Sequence, residues 1–171
     1  MAKYHSLTAD QVKAGDRLPE LRYRVTPMTI IQGAIATRDW QPQHHDHAWA
    51  VRVGTKDIFM NTPTQGGWIS RFLSDWAGPT MRLARLSYKM RSSIYPAALM
   101  TINGTVTKVY TDATGCNWVD LAVEIKCDNT VCTVIKATVA LPQKAGAESP
   151  WKRSPDRWQV GELPAFAASK A

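Results

Sequence analysis

The chain has 171 residues, with 21 Lys+Arg against 14 Asp+Glu for a formal charge of +7, and apolar and charged shares of 44% and 20%. This length supports one domain with a single core, not two full-sized ones, and the composition is globular, not disordered. No apolar run reaches the roughly 18 residues of a membrane span, and the polar N-terminus lacks the apolar segment of a secretory signal.

Residues 1–20 read as a polar leader with a short helical possibility around Thr8–Ala14, ended by Gly15-Asp16. Leu21 to Val25 alternates apolar and basic residues, the period of a half-buried strand. Thr26-Pro27 then predicts a helix start, with Thr as the cap and Pro at the first helical position, where its missing N–H is not needed. Met28, Ile31, Ala34 and Ile35 follow at helical spacing, so this helix should run to near Arg38, and Gly33 inside it points to close packing. Asp39-Trp-Gln-Pro-Gln-His44 breaks the helix, because the residue before a proline is pushed out of the α region.

A second, short helix is expected from about His47 to Val53 with Asp46 as its cap, and Asp57–Met60 reads as a short strand or extended segment. Thr62-Pro63 repeats the Thr-Pro signal, and Gln65–Ala77 carries Ile69, Phe72, Leu73 and Trp76 on one stripe, the most apolar helix of the sequence, ended by Gly78-Pro79. Four β-type runs follow, Met81–Arg91, Leu99–Tyr110, Trp118–Cys127 and Thr130–Leu141, with Asp128-Asn129 as a hairpin signal. Beyond Leu141 the sequence is rich in Pro, Ala, Ser and Lys, and Trp151 and Trp158 imply that this tail packs on the fold.

This order describes an α+β layer fold in which an antiparallel sheet wraps a central apolar helix. Such a sheet leaves edges and a face exposed, so a homodimer or a heteromer is expected. The organisation is a leader over 1–20, a core domain over 21–141 and a C-terminal extension over 142–171.

Two places carry chemistry. Asp39 and His44 flank a proline-containing loop at a helix end, and a carboxylate beside an imidazole can hold one water and move protons near neutral pH. Asp39 as a helix cap with His44 exposed is the simpler alternative. Gly66 and Gly67 lead into the apolar helix, where free N–H groups and the helix dipole favour a developing negative charge. They fit equally well as small residues that relieve crowding where the helix enters the sheet.

The segment Asp39-Trp-Gln-Pro-Gln-His44 resembles the D-x-N-P-x-H signature of the MaoC-like (R)-specific enoyl-CoA hydratases and dehydratases, with Gln41 in place of the usual Asn. The resemblance covers roughly residues 10–141 and implies a hot-dog fold. It implies that Asp39 and His44 are the catalytic pair, adding water to C3 of a 2-enoyl-CoA and a proton to C2, or the reverse. It places Gly67, preceded here by Gly66 where the family usually has His, as the N–H donor to the thioester oxygen. The stretch from Asp57 to Gly78 is most similar to members acting on bulky acyl-CoAs, some in steroid side-chain breakdown and some heteromeric. No metal or redox cofactor is implied, since coenzyme A is part of the substrate.

Rival readings start from the charge and a pI near 9.5. Arg82, Arg85, Lys89 and Arg91 could form a basic strip, but no nucleic-acid signature is present, and CoA phosphates are the better-matched anion. His44, His45, Asp46 and His47 are potential metal ligands, yet adjacent residues seldom point at one ion, so no metal site is assigned. A hot-dog thioesterase or a CoA-ester-binding partner subunit are the alternatives to the hydratase. Three cysteines, Cys116, Cys127 and Cys132, form no C-x-x-C pair and suit a reducing, cytoplasmic setting with no membrane attachment.

Overall fold

The computed structural model describes residues 5–161. Strands β1 (Leu21–Arg24), β2 (Arg82–Met90), β3 (Leu99–Thr111), β4 (Asn117–Cys127) and β5 (Thr130–Leu141) form one five-stranded sheet in the order β1-β3-β4-β5-β2. Every neighbouring pair is antiparallel. The β4–β5 hairpin closes on Asp128-Asn129, with Cys127 opposite Thr130 and φ values of 48° and 72° at the two turn residues. Positive φ at both central positions is what a tight two-residue hairpin of this hand requires, and Asp and Asn tolerate it.

Helices α1 (Pro27–Ala36), α2 (His47–Arg52) and α3 (Thr62–Ala77) complete the fold. The stripe Ile69, Phe72, Leu73 and Ala77 of α3 is buried in one core with Met100, Ile102, Val106, Val119 and Ile135 of the sheet. Alternation along β3 turns Met100, Ile102, Gly104 and Val106 to that face. A Cβ at Gly104 would lie 3.1 Å from the Phe72 ring, so the missing side chain lets α3 sit down on the strand. This is the hot-dog arrangement, a long apolar helix held in a wrapping antiparallel sheet.

Several elements differ from their sequence expectation. The helix predicted over Thr8–Ala14 is a single 3-10 turn, Ala9–Gln11. Its backbone is drawn into other partners: Ala9 N–H donates to Pro142 O at 2.8 Å, Gly15 N–H to Val106 O at 2.8 Å and Leu18 N–H to Gly104 O at 2.9 Å. The leader thus lies along β3 and buries Val12 and Leu18 in the common core. Asp57–Met60 takes the second of its two expected forms, extended chain and not a strand, held by single bonds, among them Met60 N–H to Ile94 O at 2.9 Å. α3 starts earlier than Gln65, because Asn61 and not Thr62 is its cap, accepting from Thr64 N–H. Gly33 does mark close packing: a Cβ there would fall 2.4 Å from Thr64 Oγ1 of α3.

The tail packs on the outer face of the sheet. Trp158 lies 4.9 Å from the Trp118 ring, the Arg82 guanidinium stacks 3.8 Å from the Trp158 centroid, and Trp151 Nε1 donates to Met81 O at 2.9 Å. The C-terminal extension expected over 142–171 lies within the described residues only as far as Gly161. Among the described residues no helix is long and apolar enough to cross a membrane.

Gly78 ends α3 with φ 81° and ψ −179°, a region open essentially to glycine, and a Cβ there would meet the His5 carbonyl at 2.0 Å. Gly78→Ala is therefore expected to destabilise the fold by about 1–3 kcal/mol. Chemical denaturation measures this, and an unchanged midpoint would contradict the close approach of the leader.

Candidate active site

α1 stops at a sharp reversal. Arg38 takes φ 54° and Asp39 N–H reaches back to Ala34 O at 2.9 Å, so the chain leaves the helix with the Asp39 carboxylate at its end. Pro42 then opens a 3-10 turn over Pro42–His44, tightened by His44 N–H donating to Gln41 O at 3.1 Å. The turn drives the His44 ring into the fold, where it is 4% exposed and packs edge-on to Phe59 at 4.9 Å.

His44 Nδ1 lies 2.7 Å from Phe59 O. A carbonyl can only accept, so Nδ1 carries a proton, and Nε2 is an acceptor whenever it carries none. Nε2 faces Asp39 Oδ2 at 3.5 Å. Asn61 Nδ2 donates to the same Oδ2 at 2.9 Å and to Thr37 Oγ1 at 2.8 Å, and Gln41 N–H donates to Oδ1 at 3.3 Å. The Asn61 amide, aided by the Gln41 N–H and the nearby His44, holds the Asp39 carboxyl below its ordinary range against the opposing effect of burial. Asp39 is therefore a carboxylate at neutral pH.

With Nε2 unprotonated, these two acceptors 3.5 Å apart cannot bond each other, but they can share one water, which donates one hydrogen to each and keeps its lone pairs free. A cleft of about 440 Å³ opens beside them, and Thr62, Gln65 and Met90 also line it. The arrangement is suited to general acid–base chemistry on a bound water.

The structure brings Asp39 and His44 together but does not bring Gly66 and Gly67 to their cleft. With α3 beginning at Thr62, both glycines fall in its second turn, where helical register pairs their N–H groups with carbonyls of the first. The Cβ position of Gly67 opens on a separate groove of about 300 Å³ between α1 and α3, and that of Gly66 lies 3.1 Å from the Tyr88 hydroxyl.

Trp40, next to Asp39, is 66% exposed. The histidine group disperses: His44 and His45 approach the carbonyls of Phe59 and Trp40, Asp46 caps α2, and His47 pairs with Asp57. The basic strip is also divided. Arg82 stacks on Trp158, Arg85 is partly buried beside Thr138 and Asp120, and Arg91 reaches the cleft. Asn61 was not singled out from the sequence, although an Asn directly before Thr-Pro is a strong cap signal. Gln65 had no such signal.

No family model matches the chain. It is 35% identical over 130 residues to the 3-oxo-4,17-pregnadiene-20-carboxyl-CoA hydratase beta subunit of Mycobacterium tuberculosis (strain ATCC 25618 / H37Rv), covering 76% of this chain and 95% of that one. A chain in the crystal structure of the ChsH1-ChsH2 complex from Mycobacterium tuberculosis superposes with a TM-score of 0.70 at 30% identity, covering 75% of this chain and 98% of that one. A MaoC-like dehydratase from Rhodospirillum rubrum, at 18% identity, shares the fold with a TM-score of 0.71 over 80% of this chain and 97% of its own. With that relative, that fold and an Asp/His pair around one cleft, the chain belongs to the MaoC-like (R)-specific enoyl-CoA hydratase and dehydratase family.

Proposed function

We propose that the protein hydrates a 2-enoyl-CoA to the 3-hydroxyacyl-CoA, or runs the reverse dehydration, on a bulky acyl group such as a steroid side chain. The observation that carries this reading is the pairing of His44 Nε2 and Asp39 Oδ2 as two acceptors at 3.5 Å in an open cleft. Water held between them loses a proton to His44 Nε2 as its oxygen bonds to C3. The electron pair of the C2–C3 double bond shifts toward the thioester carbonyl, giving an enolate. The imidazolium, stabilised by the adjacent Asp39 carboxylate, then gives a proton to C2. One water is consumed and no redox equivalent is needed. The reading calls for no metal or redox cofactor, since coenzyme A arrives with the substrate.

The bulky acyl group is supported by the steroid CoA ester in the name of the relative. Pairing with a second hot-dog subunit is supported by that relative being a beta subunit and by the two-component ChsH1-ChsH2 structure. Strand β2 bonds only to β5 among the described residues, which leaves a long edge for such a partner. Exposed Arg91 at the cleft suits the CoA phosphates. Three buried free cysteines fit a cytoplasmic setting.

Replacing Asp39 by Asn or His44 by Ala should lower turnover about 10²–10⁴-fold while changing KM far less. Loss of the conjugated enoyl absorbance measures this without interference from thiol release, and near-parental turnover in both variants would refute the mechanism. Asn61→Ser retains a capping oxygen but removes the amide that lowers the Asp39 pKa most. The carboxyl pKa then rises, so the acid limb of kcat/KM should move to higher pH. An unmoved limb would separate Asn61 from the chemistry. In a substrate series, turnover should favour steroid-type enoyl-CoAs over short straight-chain ones; equal or exclusive use of the short esters would remove the bulky-acyl assignment.

A further inference from the structure

Two hydrogen-bond donors in the cleft converge on an acceptor poorly suited to them. Thr62 Oγ1 lies 3.3 Å and Gln65 Nε2 lies 3.4 Å from the same atom, the Met90 thioether sulfur. That sulfur carries no hydrogen, so both groups must donate to it, and a thioether is a weak acceptor. The amide of Gln65 is held firmly. The residue is 1% exposed, and its Oε1 accepts from the hydroxyl of fully buried Thr133 at 2.6 Å. The Thr133 hydroxyl can meet either end of the amide, but the sulfur has no hydrogen to offer Oε1, so the N–H₂ end faces Met90. A buried amide N–H whose acceptor there is a thioether has not recovered its desolvation cost.

Thr62, Gln65 and Met90 line the same cleft as Asp39 and His44. Thr62 is the first residue of α3, so its backbone N–H lacks an intrahelical partner and the positive end of the helix dipole lies at the same place. Met90 ends β2, is 47% exposed and has an unbranched, rotatable side chain that an incoming ligand can displace.

We propose that the Thr62 hydroxyl and the Gln65 amide bind the thioester carbonyl oxygen of the substrate, and that the Met90 sulfur holds this position until the substrate displaces it. The assignment rests on the hydratase reading above. When water bonds to C3, the electron pair leaving the C2–C3 double bond places negative charge on that carbonyl oxygen. Two preset donors stabilise the enolate until the proton reaches C2 and the pair returns to carbon. Gly67, expected to supply this contact, has its N–H inside the second turn of α3, while its Cβ position opens on the other groove. The donors that reach the dyad's cleft are side chains instead.

The test is steady-state kinetics of Thr62→Val and Gln65→Met in the purified assembly, using the 2-enoyl-CoA that the parent turns over fastest. Each variant should lose about 10²-fold in kcat with a smaller change in KM, as for other single donors to a developing oxyanion. A spectroscopic readout covers loss of packing at buried Gln65: an Asp39→Asn protein should bind the enoyl-CoA with its conjugated absorbance shifted to the red, by polarisation of the carbonyl. Adding Thr62→Val, at an exposed position, should diminish that shift while binding persists. Parental kcat in Thr62→Val and Gln65→Met, or a red shift untouched by Thr62→Val, overturns the assignment. If these results come from an active parent that Asp39→Asn inactivates, the hydratase reading stands and only the donor pair fails. A parent inactive on every enoyl-CoA overturns both.

Discussion

Asn61 joins the helix that organises the core to the carboxylate that organises the site. Its Oδ1 accepts from Thr64 N–H at the mouth of α3, and its Nδ2 donates to Asp39 and Thr37 from the end of α1. The residue is 3% exposed, so these bonds are little weakened by water. One planar amide thereby fixes the start of α3 relative to the end of α1. The glycine contact between Gly33 and Thr64 lets the two helices come close enough for it to do so. Burial of α3 in the sheet is what makes this tie rigid, because the helix cannot shift along its axis without uncovering Ile69, Phe72 and Leu73.

The cleft that results is chemically divided. Asp39 and His44 present lone pairs, while Thr62 and Gln65 present hydrogens, and Met90 caps the latter with a soft, movable sulfur. Water needs acceptors to orient its lone pairs toward an electron-poor carbon, whereas a carbonyl gaining charge needs donors. Each set is held by neighbouring groups: Phe59 O sets the imidazole tautomer, Asn61 lowers the carboxyl pKa, and Thr133 orients the Gln65 amide. Such preset orientation avoids reorganisation while charge moves.

The positive charge is shared among different tasks. Arg82 is spent on stacking the tail against Trp158, and Arg85 lies against Thr138 and Asp120 beneath the same face. Trp158 packs with Trp118, Cys116 and Ala140 in a second, smaller cluster, which explains why β5 is buried on both faces near its end. Lys89 and Arg91 remain outward at the far end of β2, the end that reaches the cleft. The net charge alone could not distinguish these uses.

Local patterns determined most of the fold. Thr26-Pro27 and Asp46 cap their helices, Asp128-Asn129 closes its hairpin, and the alternation of β3 to β5 follows the sequence, because each depends on backbone preferences and periodicity within a few residues. The Asp39 and His44 pairing came from the resemblance of Asp39-Trp-Gln-Pro-Gln-His44 to the D-x-N-P-x-H signature, since spacing alone left an exposed His44 as the simpler reading. The leader was misread because its backbone bonds go to β3 and to Pro142–Gln143, partners nearly ninety or more residues away in the chain. The same limit applies to the site. Asn61, Gln65, Met90 and Thr133 come from α3, β2 and β5, and their convergence is set by helix-on-sheet packing, not by spacing along the chain. The sequence by itself thus determined most of the elements and placed Asp39 and His44 around one turn. Only the tertiary structure decided which donors and acceptors surround that pair, since hydrogen bonds between distant segments exist only once the core has closed.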